Sequence, residues 1–187
     1  MILLARHGET DWNAIGRLQG HTDVELNANG RAQARALARE LAAARITAVW
    51  TSDLARARET GAIVAAELGL AAPRTLAELR ERRFGVFEGL TRDECAARYP
   101  DAWSAWTSRT EHPPGGESRE DATARMIRAI DRIRAEASVS LVVTHGGVMR
   151  LWIANVTGET VPLVGNGAVY TVEHDGTAVR CALRARA

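Results

Sequence analysis

Residues 138–147 read SVSLVVTHGG, a β-branched apolar run that stops on a histidine and two glycines. The chain opens on the same pattern, ILLARHG at residues 2–8. A short apolar run bounded by polar residues predicts a buried strand, and each of these delivers a titratable ring to its carboxyl end. Helix and strand signals alternate between the two, which predicts an α/β domain with a mostly parallel sheet. In such sheets ligands collect outside the carboxyl ends of the strands, so His7 and His145 are expected to face one crevice. The glycine after each removes side-chain bulk where the backbone must turn or approach a ligand.

Working outward from these ends, residues 8–30 are rich in Gly, Asn and Asp and predict an irregular loop. A helix is predicted from about Ala28 to Ala44, with Ala34, Leu37, Leu41 and Ala44 on one face. ITAVWTS (46–52) predicts a strand and Asp53 an N-cap. Leu54, Ala57, Gly61, Val64 and Leu68 then form the core stripe of a helix that ends at Gly69. PRTLAEL (73–79) predicts a third strand. Residues 80–116 show little periodicity except TRDECAARY (91–99), a short helix closed by Pro100. With Trp103, Trp106 and HPPGG (112–116), this stretch has the character of a surface excursion that forms lids, placed at about 86–117 within a single domain. Ser118 begins a helix carrying Ala122, Met126, Ala129, Ile130 and Ile133 at helical spacing. A helix over 147–156 and an alternating stretch, GAVYTVEHDGTAVRCAL (167–183), complete the pattern; Asp175-Gly176 marks a hairpin turn.

A chain of 187 residues suits one domain with a sizeable core, and 46% apolar with 25% charged residues is ordinary for a globular protein. All 24 basic residues are arginine, and 23 acids leave a net charge of +1. That balance gives no general attraction to nucleic acid or anionic lipid. Cys95 and Cys181 lack a CxxC or metal-ligand spacing. The N-terminal apolar run is too short for a signal peptide and no stretch approaches a membrane span, so a reduced, cytoplasmic setting is expected. The chain contains no GxxxxGK[ST], GxSxG, HExxH or GxGxxG, which removes the usual supports for P-loop, serine-hydrolase, zincin and dinucleotide chemistry.

Arg56 falls in the first turn of its helix, where the helix dipole disfavours a cation. A bound anion resolves that conflict; the alternative is a solvated side chain paired with Glu59 or Glu40. Together Arg6, His7, Arg56 and His145 describe a cationic pocket suited to phosphate, which arginine binds in bidentate fashion. Clustered arginines oppose a metal at the same place.

LARHGETDWN (4–13), TSDLARARET (51–60), LRERRFGVFEG (79–89) and VVTHGGV (142–148), in this order, resemble the motifs of the histidine phosphatase superfamily, the phosphoglycerate-mutase-like proteins. The resemblance implies a three-layer α/β/α sandwich with a mostly parallel central sheet and a C-terminal antiparallel hairpin. It also implies a phosphohistidine mechanism. His7 is then the nucleophile, with Arg6, Arg56 and His145 around the transferred phosphoryl group. Asn13 and the Gly146 amide are further donors, and Glu81 is the proton donor to the leaving oxygen. Glu78 and Glu88 stand near Glu81 and spacing alone does not choose among them; motif context favours Glu81. No metal and no cofactor are implied, and the expected partner is a small-molecule phosphate ester.

Gln19, His21 and Trp106 are candidate substrate contacts at the entrance. Trp103 and Trp106, three apart, are expected chiefly as core anchors beneath the lid. The absence of lysine and the compact lid resemble the phosphatase branch, which includes α-ribazole and broad-specificity phosphatases. A cofactor-dependent phosphoglycerate mutase is the runner-up. A catalytically silent phosphate-ester-binding regulatory protein is the reading from another class.

Overall fold

The computed structural model describes residues 1–136, 139–174 and 179–184. Strands β1 (Ile2–Arg6), β2 (Ala48–Thr51), β3 (Arg74–Thr75), β4 (Ser140–Thr144), β5 (Val169–His174) and β6 (Val179–Leu183) form one sheet in the order β3-β2-β4-β1-β5-β6. The pairs among β1 to β4 are parallel, while β5 runs antiparallel to both β1 and β6. In the β1–β4 register Arg6 lies opposite Thr144. The two strands therefore end level, and His7 and His145 follow at the same height.

The helices are α1 (Asp11–Ala14), α2 (Ala28–Leu41), α3 (Ala55–Glu67), α4 (Arg92–Arg98), α5 (Pro100–Thr107), α6 (Arg119–Arg134) and α7 (Gly146–Thr157). Strand pleat sorts the core in two, because successive side chains point to opposite faces. Leu4 and Val142 pack with Met126, Ile130 and Ile133 of α6 and with Met149 and Trp152 of α7. Leu3, Leu141 and Val143 pack on the other face with Leu37 and Leu41 of α2 and Ala57 and Val64 of α3. The result is the expected three-layer sandwich. Coverage of both faces is why β1 and β4 read as continuous apolar runs rather than alternating ones.

Several local expectations are corrected. The polar stretch after β1 contains α1, closed by a capping box in which Thr10 and Asn13 bond each other's backbone amides; four residues are too few to show periodicity. Asp53 is not an N-cap. That position falls to Leu54 without a side-chain bond, and the Asp53 carboxylate instead accepts Arg80 Nε and Nη2 at 2.7 and 2.5 Å. The third strand shrinks to Arg74–Thr75, and residues 77–79 coil into a 3₁₀ turn. Pro100 does not merely close α4. It opens α5 at the first helical position, where its missing N–H costs nothing.

The 80–116 segment thus holds two helices, and their apolar sides meet Phe87, Leu90 and Cys95 in a small cluster of their own. Trp103 and Trp106 pack at 4.9 Å between centroids with their planes tilted by 48°, and Phe87 is edge-on to Trp103 at 5.5 Å. The Asp175-Gly176 turn lies outside the described residues; its flanking strands pair with His174 opposite Val179. Among the described residues no helix is long and apolar enough to cross a membrane.

Met126 is fully buried where α6 meets the sheet. Met126→Ala is expected to cost about 2–5 kcal/mol of unfolding free energy through the cavity it leaves, read as a lower urea midpoint.

Candidate active site

His7 lies one residue beyond β1 and is 3% exposed. Its Nδ1 stands 2.6 Å from the Gly8 carbonyl oxygen. A carbonyl only accepts, so Nδ1 carries the hydrogen and Nε2 keeps its lone pair. The turn is held from beneath: Gly8 N donates to Thr60 Oγ1 (3.0 Å), and that hydroxyl donates to Arg56 O (2.7 Å). A Cβ on Gly8 would come within 2.4 Å of Gly30 O, so only glycine lets the loop rest on the start of α2.

His145 is fully buried, with its ring centroid 5.0 Å from that of His7. Its Nε2 is 2.7 Å from Ser52 Oγ, at the end of β2. Burial, then the charges of Arg56 and Arg6, hold His7 well below the ordinary imidazole range; the Gly8 bond opposes them. Burial and the same arginines, with His7, do likewise to His145. Both rings are neutral in the folded protein.

Arg56 is fully buried and donates from Nη1 to Thr22 O (3.0 Å) and from Nη2 to Gly20 O (2.8 Å). Neither Glu59 nor Glu40 is its partner; Glu59 pairs with Arg31 at 2.6 Å. Burial lowers Arg56 to about 10, so it stays charged at neutral pH. Arg6 donates from Nη1 to Val164 O at 2.6 Å. The Nε atoms of Arg6 and Arg56 and the Nδ1 of His145 are all buried without a hydrogen-bond partner. Leu54 N donates to Ser52 Oγ (3.4 Å). With the hydroxyl hydrogen turned to His145 Nε2, the ring hydrogen falls on Nδ1 and all three orphan atoms are donors. Each buried donor left unpaired costs about 1–3 kcal/mol, a penalty that an anion accepting from them relieves.

Glu81 closes the other side. Its Oε1 accepts from Arg82 N (2.8 Å) and Val148 N (2.8 Å), and its Oε2 from Gly147 N (2.9 Å). The carboxylate thereby caps the amino end of α7, where the helix dipole favours it. A Cβ on Gly147 would lie 2.5 Å from Glu81 Oε1. The Glu81 carbonyl accepts from His21 Nε2 (2.7 Å) and Arg125 Nη2 (2.9 Å). Glu88 is used elsewhere, bonding the amides of His21, Thr22 and Phe84. Of the three neighbouring carboxylates only Glu81 lies on the cavity wall.

That cavity measures about 620 Å³ and brings together Arg6, His7, Asn13, Arg56, Glu81 and Gly146. His145 lies beneath His7 rather than on the wall. Asn13 Oδ1 accepts from Thr10 N and Asn166 Nδ2, which leaves its amide hydrogens for the cavity. Gln19 lines the cavity with Oε1 unpartnered. Trp106 lines it too while packing on Phe84 and Phe87. His21, expected at the entrance, is not on the wall but behind it, on the Glu81 carbonyl. Ser52, Thr60 and Arg125 hold the site together and were not singled out by spacing. Ser52 alone had a signal, its position at the carboxyl end of β2. Among the described residues no group of three His, Cys, Asp or Glu side chains is arranged to hold a metal ion.

The family model of the histidine phosphatase superfamily (branch 1) matches residues 2–185, and the chain belongs to that superfamily. A metal-independent phosphoserine phosphatase of Arabidopsis thaliana is 39% identical over 162 residues, covering 83% of this chain and 68% of that protein. A 2,3-bisphosphoglycerate-dependent phosphoglycerate mutase of Methylobacterium sp. (strain 4-46) is 35% identical over 195 residues, 95% of this chain and 93% of its own. Among solved structures, the alpha-ribazole phosphatase from Shigella flexneri superposes with a TM-score of 0.86 at 29% identity, over 100% of this chain and 96% of that one.

Two histidines held neutral by the fold take up protons once it opens. Between their depressed folded values and the ordinary value of about 6.5, the unfolded state carries the extra protons. Stability is therefore full above about pH 6.5 and falls below it, by up to about 1.4 kcal/mol per pH unit for each histidine. Urea unfolding at about pH 7.5 and 5.5 is expected to show the loss, reduced in His145→Gln; a flat profile contradicts it.

Proposed function

We propose that the protein is a metal-independent phosphomonoesterase that acts on a small phosphate ester through a phosphohistidine. The observation that carries this reading is the set of buried, unpartnered nitrogens on Arg6, Arg56 and His145 beside a histidine whose free Nε2 is set by the Gly8 carbonyl. Nε2 of His7 attacks phosphorus as the P–O bond to the leaving group breaks. Glu81 in its acid form gives its proton to that oxygen. Arg6, Arg56 and His145 stabilise the charge on the remaining phosphoryl oxygens, with the Asn13 amide and the Gly146 N–H as further donors. Glu81, now a base, takes a proton from water as the water attacks the phosphohistidine. Inorganic phosphate leaves and His7 is restored. The protein supplies the positive charge that other phosphotransfer sites draw from a metal.

Hydrolysis of p-nitrophenyl phosphate with EDTA present is expected from the wild type. His7→Ala is expected to remove it, and rapid quenching in acid-free medium to trap one phosphoryl group on His7. Glu81→Gln is expected to lower kcat on the order of 10²- to 10⁴-fold. Failure to hydrolyse any of a panel of phosphate esters leaves a silent binder, and loss of activity in EDTA refutes metal independence. Efficient interconversion of 3- and 2-phosphoglycerate moves the chain to the mutase reading, which its Methylobacterium relative keeps in view.

Gly147→Ala tests the seat of Glu81 without touching a reacting group. The added methyl displaces the carboxylate, a flexible end, so the fold is expected to stand while kcat falls on the order of 10²-fold. Thermal melting alongside the rate assay separates the two effects.

A further inference from the structure

Residues 80–84 belong to no helix and no strand, so no ladder of backbone bonds fixes the path of the chain at Glu81. Glu81 and Arg82 are nevertheless buried, and buried carbonyls need partners. Here four successive carbonyls are held by side chains. Leu79 O accepts from Thr144 Oγ1, at the last residue of β4, at 2.6 Å. The other three accept from one residue, Arg125 of α6: Nη1 donates to Glu78 O (2.7 Å) and Arg80 O (2.6 Å), and Nη2 to Glu81 O (2.9 Å). Glu117 takes what remains, Nε on Oε1 at 2.7 Å and Nη2 on Oε2 at 2.8 Å. All five donors of the guanidinium are thereby used.

The pair is nearly closed to water, its side chains 12% and 17% exposed. Burial pushes the Glu117 carboxyl up, but its bonds to Arg125 and that residue's charge outweigh it and hold the group below its ordinary range. Glu117 also ties into the same loop. Its Oε2 accepts from Arg83 N (3.3 Å), its carbonyl accepts from Arg82 Nε (2.8 Å), and its amide donates to Arg83 O (3.0 Å). A buried ion pair is a poor source of stability, because taking two charges out of water offsets their attraction. The geometry of this one has another use.

Peptide units are planar, and Arg80 O and Glu81 O belong to the two planes that flank the Glu81 Cα. One rigid guanidinium holds both. With both planes held, φ and ψ of Glu81 are set, and so is the direction in which its side chain leaves toward the amides of Gly147 and Val148. We infer that Arg125, with Glu117 as its counter-ion, is the positioning residue of the proton donor: it fixes Glu81 through the backbone while α7 fixes the carboxylate. Neither Arg125 nor Glu117 lines the cavity, so their effect on the reaction passes through Glu81. Lysine has three donors on one nitrogen and no planar fork, so it cannot hold both planes and Glu117 together. The catalytic consequence rests on the phosphatase reading, in which Glu81 protonates the leaving oxygen; the positioning itself does not.

Arg125→Lys and Glu117→Gln, compared with the wild type in two measurements, test this. Hydrogen exchange by NMR at the Gly147 and Val148 amides reads the seat of Glu81 without turnover. Both are expected to exchange at least about tenfold faster in Arg125→Lys while the β4 amides keep their protection. The second measurement is kcat/KM for p-nitrophenyl phosphate and phenyl phosphate, a matched pair in which p-nitrophenolate departs with little help from an acid and the more basic phenolate needs a proton. Arg125→Lys is expected to lower kcat/KM for phenyl phosphate at least about tenfold more than for its partner, and Glu117→Gln to shift the ratio the same way by less. A role in folding alone lowers both substrates equally. Unchanged exchange at Gly147 and Val148 overturns the positioning, and faster exchange with equal loss on both esters overturns its part in proton donation. If Arg125→Lys does not fold, Glu117→Gln decides both points. Glu81→Gln, run alongside, separates the two levels: without a preference for the p-nitrophenyl ester in that variant, Glu81 is not the acid and the reading of its role fails. An enzyme that hydrolyses neither ester overturns the phosphatase reading, while the exchange rates still decide the positioning.

Discussion

Two guanidinium groups held largely out of water are the constraint around which this protein is organised. Burying a charge without partners is prohibitive, and here the compensation is specific. Backbone carbonyls of Gly20, Thr22 and Val164 accept from the outer nitrogens of Arg56 and Arg6, while the inner Nε atoms stay unpaired. The carbonyls hold the arginines in place and leave part of their hydrogen-bonding capacity to a ligand. The same field, added to burial, keeps His7 and His145 neutral, which is the state a nucleophilic imidazole requires.

The sheet makes that arrangement affordable. Because Arg6 and Thr144 are register partners, two strands finish level and both histidines emerge at one edge. Ser52 at the end of β2 reaches His145 from the neighbouring strand. Helix α7 begins immediately after His145, and its first amides hold Glu81. These pieces sit at or just beyond the ends of elements whose positions are set by the two apolar layers behind them.

The outer cavity is built differently. Its aromatic cluster of Phe87, Trp103 and Trp106 is separate from the two main core layers, and its arginines come from α4, the chain just after α5, α6 and α7. An inner wall of buried, closely bonded polar groups suits a constant chemical step. An outer wall of long side chains, half-buried or exposed, suits discrimination among leaving groups.

What could be read from the chain alone was whatever follows from local pattern. The apolar runs ending on His7 and His145, the helical stripe from Ala122 to Ile133 and the misplaced cation at Arg56 are all short-range signals, and each has a physical cause visible within a few residues. Asp53 shows the limit: as a local residue it resembles an N-cap, but Arg80, 27 positions away, competes for the carboxylate and wins. His21 likewise looked like an entrance residue until the fold set it behind Glu81. The choice of Glu81 over Glu78 and Glu88 rested on motif context in the sequence, while the structure sets only Glu81 on the wall, because α7 turns its free amides there. The gathering of Arg92, Arg109, Arg119 and Arg150 around one mouth was not legible at all. Charges scattered along a chain carry no positional information until the backbone brings them together, and only the tertiary structure does that.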